Sequence, residues 1–237
     1  MNGWLRWVAG VGGFDLVSRR KPRDPLHQLA ALLAFHRIDL VLDVGANEGQ
    51  YGAMLRRLGY GGRIQSFEPL PEAHALLRER ACGDPLWEVA PPMALGAENG
   101  VVTIERSRES DMSSILPQSP TLERISPGSA IAERIEVEMR RLDEVGLAAG
   151  DRLHLKVDVQ GYEPWVLDGA AGLFDRFVSV QLEMALLPVY EGERSWRAVT
   201  DRMEACGFEL HLLVPGYFER KLARQLQVDG VFVRPGA

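Results

Sequence analysis

The chain predicts an α/β fold, a mostly parallel sheet with helices on both faces and an antiparallel strand at one edge. Three observations predict it. Strand-like apolar runs alternate with segments of helical periodicity along most of the sequence. The run "IDLVLDVG" is almost wholly apolar and ends in an acid, the mark of a strand buried on both faces. The last two strand patterns, "FELHLLV" and "LQVDGVFVR", have only a loop between them, which suits an antiparallel final strand. At 237 residues the chain is long enough for one sizeable domain.

Each element has its own warrant. "DPLHQLAALLAFHR" (24–37) has helical spacing behind an Asp-Pro start. Strand 38–45 follows, then a helix from "GQYGAMLRRLGY" that stops at Gly59 and the Gly61–Gly62 pair. "RIQSFEP" is the second strand, and "PEAHALLRERACG" the second helix of the alternating unit, with Pro71 in its first turn. "LWEVAPPMALG" holds a third strand that ends at Pro91 and Pro92. "GVVTIER" and "RIEVEMRRLDEV" read as strands on either side of residues 105–130, which carry seven serines and three prolines. A segment that long without periodicity is expected to be functional or disordered, here a mobile cover over the acceptor site. "RLHLKVDVQG" and "FVSVQLEMA" are strands, and "EPWVLDGAAGLF" and "SWRAVTDRMEACG" are helices.

Composition narrows the function. A net charge of −6, with 27 basic against 33 acidic residues, argues against nucleic acid as a partner. Two cysteines, Cys82 and Cys206, in no metal spacing suit a reduced, cytoplasmic chain. Residues 1–37 form an apolar and helical extension to a domain at 38–237. Trp4, Trp7 and the cluster "RRKPR" give the extension two readings: contact with the domain or a second subunit, or contact with the inner membrane surface. The first reading is preferred, and the oligomeric state is left open.

The stretch "VLDVGANEGQYG" carries the chemistry. Gly45, Gly49 and Gly52 form a strand-to-helix turn, but not with dinucleotide spacing. Asp43 and Glu48 would repel a phosphate there, at about 4 kcal/mol for each close like-charge contact. A cationic ligand fits better. S-adenosylmethionine has a sulfonium and an ammonium and no phosphate. Glu68 follows Gly49 by 68 − 49 = 19 residues at the tip of the second strand, where an acid binds ribose hydroxyls.

"DVGANEGQYG", "SFEPLPEAHALL", "ALGAENGVVTI", "SSIL", "RRLDEV", "LKVDVQGYEPWVLDGA" and "QLEM" occur in the order seen in FkbM-type methyltransferases, and the resemblance covers about residues 38–233. It implies a Rossmann-like class I methyltransferase fold with a seven-stranded sheet. It also implies S-adenosylmethionine as cofactor and a hydroxyl-bearing acceptor, such as a sugar of a polysaccharide or glycolipid, or a natural product. The resemblance implies a cofactor loop at Asp43, Gly45, Ala46, Asn47 and Gly49, a ribose acid at Glu68 and adenine contacts at Ala94 and Leu95; Glu48, Tyr51, Pro69, Ser113 and Asp158 are further candidate cofactor contacts. The family usually reads K-I-D-V-E-G where this chain has "KVDVQG", so Gln160 stands in place of a carboxylate.

Asp158, Glu183 and Lys156 are the catalytic candidates. Asp158 and Glu183 end neighbouring strands and could act as base or hold a divalent cation, with the metal-free route preferred because position 160 lacks an acid. Lys156 lies in an apolar strand and is expected to satisfy a buried acid. His154 is expected to be buried, and His27, His36, His74 and His211 to be structural. Ser113 and Ser114 could reach the ligands, and Tyr190, Trp196, Tyr217 and Phe218 could stack on a sugar or complete the core. Two rivals stand beside this reading: a nicotinamide-dependent oxidoreductase, and a cofactor-binding scaffold without turnover.

Overall fold

The computed structural model of the protein describes residues 24–108, 110–126 and 129–236. Trp4, Trp7 and the basic cluster of the N-terminal segment lie outside the described residues. The first half runs α1 (Pro25–Phe35), β1 (Leu40–Val44), α2 (Gln50–Arg57), β2 (Arg63–Phe67), α3 (Pro71–Ala81), β3 (Trp87–Val89), β4 (Ala94–Leu95) and β5 (Gly100–Ser107). Then come α4 (Pro120–Ile125), β6 (Ile131–Arg140), β7 (Leu153–Val157), α5 (Glu163–Gly169) and β8 (Phe177–Ala185). The chain closes with α6 (Trp196–Ala205), β9 (Glu209–Pro215), β10 (Phe218–Glu219), β11 (Arg224–Gln225) and β12 (Gln227–Val233).

Seven strands form the central sheet in the order β3-β2-β1-β7-β8-β12-β9. All pairings from β3 to β8 are parallel, as short strands joined through helices must be. This is the Rossmann-like, mostly parallel seven-stranded arrangement that the sequence resemblance implied. The antiparallel strand, expected at the edge, sits one place in: β12 pairs with both β8 and β9. Its residues explain the placement, because Val231, Phe232 and Val233 are fully buried and need cover on both sides. Edge strand β9 is largely exposed instead.

Every residue of β1 and of β7 is buried. One core packs α5 and α6 against the sheet through Val166, Leu167, Val199 and Met203. The opposite core packs α1, α2 and α3 through Leu29, Leu33, Leu55 and Leu77. Each such leucine contributes about 1.5–3 kcal/mol when fully buried. Helix α1 starts where Asp24 accepts from the amides of Leu26 and His27, with Pro25 at the first position.

β4, β5 and β6 form a separate sheet in the order β4-β6-β5. Seven of the ten residues of β6 are exposed, so it could not sit between two helical layers. The serine- and proline-rich segment 105–130 begins inside β5 and holds helix α4. It is pinned rather than free-running: Glu105 bridges Ser114, and Gln118 bridges Tyr190. Among the described residues, no helix is long and apolar enough to cross a membrane.

Candidate active site

The carboxyl ends of the parallel strands open into a cavity of about 290 Å³, the place where such sheets bind ligands. Along the sheet its lining passes from Glu68 at β2 to Gly45 at β1, Asp158 at β7, Glu183 at β8 and Gln227 at β12. Pro69, Ala94 and Leu95 continue it on one side. Ser113, Ser114, Leu122, Tyr190 and Tyr217 close it on the other.

The turn after β1 is shaped by contact with β7. Gly45 has φ +73°, and a Cβ there would fall 1.9 Å from the carbonyl oxygen of Asp158. Only glycine allows that approach. Its amide donates to the carbonyl of Phe67, which ties the turn to β2. Glu68 is then fixed by two backbone donors: Asn47 N–H to Oε2 and Leu70 N–H to Oε1, each at 2.8 Å. Burial raises its carboxyl to about 7, against the pull of those two amides. The ionised form is the better acceptor for ribose hydroxyls and the one that attracts a cationic ligand. Affinity for S-adenosylmethionine should therefore rise as pH rises through about 7 and level off above it, and Glu68→Gln should flatten the profile. Glu68→Ala should weaken binding by about 1.5–3 kcal/mol, the range for a bond to a charged group. Calorimetry across pH checks both, and an unchanged affinity in Glu68→Ala removes the ribose assignment.

Other residues of the loop serve behind the cavity rather than in it. Asp43 is fully buried, accepts from Ser66 Oγ and lies 3.6 Å from Lys156 Nζ. Burial pushes its carboxyl up, and Lys156 offsets only part of that. Glu48 turns to the outer surface and pairs with Arg80. Ala46 joins the core, and Gly49 packs beside Trp87 and Leu77. Tyr51 donates to Gln181 Oε1 at 2.9 Å and lies 3.1 Å from His154 Nε2, inside the fold. From this loop, only Gly45 and Asn47 line the cavity.

The reacting end is a network centred on Gln160. Its Nε2 donates to Asp158 Oδ1 and to Glu183 Oε2, both at 2.9 Å. Its Oε1 accepts from the Tyr190 hydroxyl at 3.0 Å, and its carbonyl accepts from Ser114 Oγ at 2.7 Å. Gln160 has φ +55°, an uncommon conformation for a side-chain-bearing residue that these four contacts hold in place. Glu183 Oε2 also accepts from Gln227 Nε2 at 2.9 Å. Burial, then the charges of Asp158, Glu163 and Asp229, push the Glu183 carboxyl well above its ordinary range. Lys156 donates to Asp158 Oδ2 at 3.3 Å. Burial opposes its charge, but Asp158, Asp43 and Asp229 outweigh that and keep the ammonium protonated.

Supporting residues complete the frame. Glu163 Oε1 accepts from the amides of Val159 and Gly161 and so shapes the turn after β7. His154 is fully buried beside Ser179, and burial lowers it to about 3, so it is neutral. Ser113 accepts from the amide of Ser107. Trp196 and Phe218 are exposed outside the lining. Gln227, Asp229 and Asp111 were not legible as site residues; only a fold that sets β12 beside β8 brings the first two close.

The cavity is strongly one-signed. Glu68, Asp111, Asp158 and Glu183 line it, and no lysine, arginine or histidine does among the described residues. Such a lining repels phosphate and suits a sulfonium and an ammonium. Among the described residues no three His, Cys, Asp or Glu side chains converge as metal ligands.

The family model "Methyltransferase FkbM domain" matches residues 43–210, most of the chain. The chain belongs to the FkbM methyltransferase family. This makes it a methyltransferase dependent on S-adenosylmethionine and removes the oxidoreductase reading. The 2-O-methyltransferase NoeI of Sinorhizobium fredii (strain NBRC 101917 / NGR234) is 28% identical over 212 residues, covering 81% of this chain and 82% of that protein. Solved structures also match the chain, at low identity. Magnesium protoporphyrin IX methyltransferase (ChlM) from Synechocystis PCC 6803, with bound SAM, is 11% identical with a TM-score of 0.46, covering 88% of this chain and 77% of that one. Ribosomal protein L11 methylase from Lactobacillus delbrueckii subsp. bulgaricus is 12% identical with a TM-score of 0.45, covering 88% and 77%.

Proposed function

We propose that this FkbM methyltransferase methylates a hydroxyl group on a neutral, sugar-like acceptor, with Asp158 receiving the hydroxyl proton. The single observation that carries this is the acid-only lining of the cavity. An acceptor with a phosphate or carboxylate at its reacting end would meet the Asp158 carboxylate, at about 4 kcal/mol for a close like-charge contact. A neutral hydroxyl meets acceptors for its proton instead. The likeness to NoeI, a 2-O-methyltransferase by name, supports oxygen as the methylated atom.

Gly45, Asn47, Glu68, Pro69, Ala94 and Leu95 are the residues that would hold S-adenosylmethionine. When bound, it supplies a methyl group already activated by the sulfonium charge. The protein's share of the work is then alignment and proton management. Orientation of this kind is worth roughly 7–11 kcal/mol. Lys156 and Gln160 each hold one oxygen of Asp158, so the carboxylate meets the acceptor in a fixed pose. Gln160 and Gln227 both donate to Oε2 of Glu183, and so hold it as a wall that can bind a second hydroxyl of the acceptor. Tyr190, Tyr217, Leu122, Val189 and Leu226 give the acceptor side an apolar wall for the carbon face of a sugar ring.

The test is methyl transfer from labelled S-adenosylmethionine to paired glycosides, neutral and anionic. Label should enter the neutral members and resist mild alkali, as an ether does. Label released by alkali would mean a methyl ester, hence a carboxylate acceptor, and would overturn the hydroxyl reading.

A further inference from the structure

Charge is divided at the mouth of the cavity. Inside stand four carboxyl groups and no cation among the described lining residues. Outside stands the hairpin of β10 and β11, whose Arg220, Lys221 and Arg224 are all exposed. Its acid, Glu219, is buried and taken up by the Tyr217 hydroxyl and the Lys221 amide, so the hairpin presents an excess of positive charge on a chain of net −6. Exposed apolar side chains cluster there too. Phe218 is 50% and Leu222 46% exposed, and Tyr217, 36% exposed, also lines the cavity. Cations beside exposed aromatic and aliphatic groups are the composition of a surface that lies in a lipid interface. A soluble anion would account for the cations but not for Phe218 and Leu222.

We propose that this hairpin seats the enzyme on an anionic lipid surface, so that the cavity mouth faces acceptors carried at that surface. The three cations meet the negative headgroups, and Phe218 and Leu222 enter the boundary between headgroup and acyl chain. The neutral end of the acceptor then passes Tyr217 into the acidic interior. For the nature of the acceptor this rests on the function proposed above; the docking itself does not.

The test is flotation of the full chain with vesicles of phosphatidylcholine, alone or mixed with phosphatidylglycerol. Binding is expected to the mixed vesicles only, and to weaken as salt rises. Arg220→Gln, Lys221→Gln and Arg224→Gln together should weaken it about 100-fold, at about 1 kcal/mol for each cation. Phe218→Ser with Leu222→Ser should weaken it as well. Unchanged affinity for S-adenosylmethionine in both variants shows that they fold. Equal binding to neutral vesicles, no binding, or variants that bind like the parent would overturn the proposal. So would release from the vesicles by a soluble nucleoside diphosphate, which would assign the cations to a soluble anion. Flotation needs no turnover, so it can fail while neutral glycosides are methylated, and the reverse.

Discussion

Asp158→Asn is expected to lower turnover by about 100- to 10,000-fold, the usual contribution of a general base. Affinity for S-adenosylmethionine should change little. The substitution keeps the shape of the side chain at the end of β7. It keeps an oxygen for the Gln160 amide and takes away the group that receives the acceptor proton. A group used mainly in the transition state shows itself in this way, with turnover lost and binding kept. Lys156 retains Asp43 at 3.6 Å, so the strand keeps an acid for its buried ammonium and should stay folded. Turnover and calorimetry on the same preparation separate the two effects. Chelator adds a second readout: wild-type turnover should be indifferent to EDTA, because the Gln160 amide already bridges the two carboxylates that a cation would bridge. Near-normal turnover in Asp158→Asn would leave alignment alone as the source of catalysis.

Strand ends were the most legible part of this site. Gly45, Glu68, Asp158 and Glu183 could be placed on the cavity because apolar runs end at the carboxyl edge of the sheet, where parallel sheets form their ligand sites. Side-chain direction was not legible. Asp43 and Glu48 lie in the same motif as Gly45 and Asn47, yet one points into the core and the other to the surface. One residue of phase in a strand or a turn moves a side chain to the opposite face. Tyr51 fell to the same ambiguity, since the face of α2 that packs on the sheet follows from tertiary contacts. The acidic side chains that face the cavity are thus Glu68, Asp111, Asp158 and Glu183, and not the loop acids. Gln227 and Asp229 lie more than forty residues beyond Glu183 in sequence. Nothing local announces that β12 inserts beside β8, or that β5 and β6 leave the main sheet for one of their own.

Gln160→Glu restores the acid usual in the family, and in this chain it should cost stability in a pH-dependent way. The amide of Gln160 gives one hydrogen to Asp158 and one to Glu183. A glutamate gives neither, and puts a third carboxylate within reach of two. Each such like-charge contact costs about 4 kcal/mol at an effective dielectric near 20, unless a proton is taken up. The Glu183 carboxyl is already raised by burial and by its acidic neighbours, so the added charge pushes the cluster further the same way. A carboxyl whose pKa is raised by folding is harmless below its unfolded value and destabilises as pH climbs through the folded one. At about pH 5 the variant should therefore hold a proton, which hydrogen-bonds one neighbour, and unfold near the wild-type temperature. Toward pH 8 the deficit should open. A loss of about 2 kcal/mol would lower Tm by roughly 4–8 °C in a chain of this size. Calcium or magnesium should close the gap in the variant, because three carboxylates offer a hard cation the oxygens that two and an amide do not. The wild type should show no such rescue. Thermal unfolding at both pH values, with and without the cation, measures all of this. A deficit of the same size at both, untouched by cation, would mean that position 160 matters for its strained backbone and not for the bridge between Asp158 and Glu183.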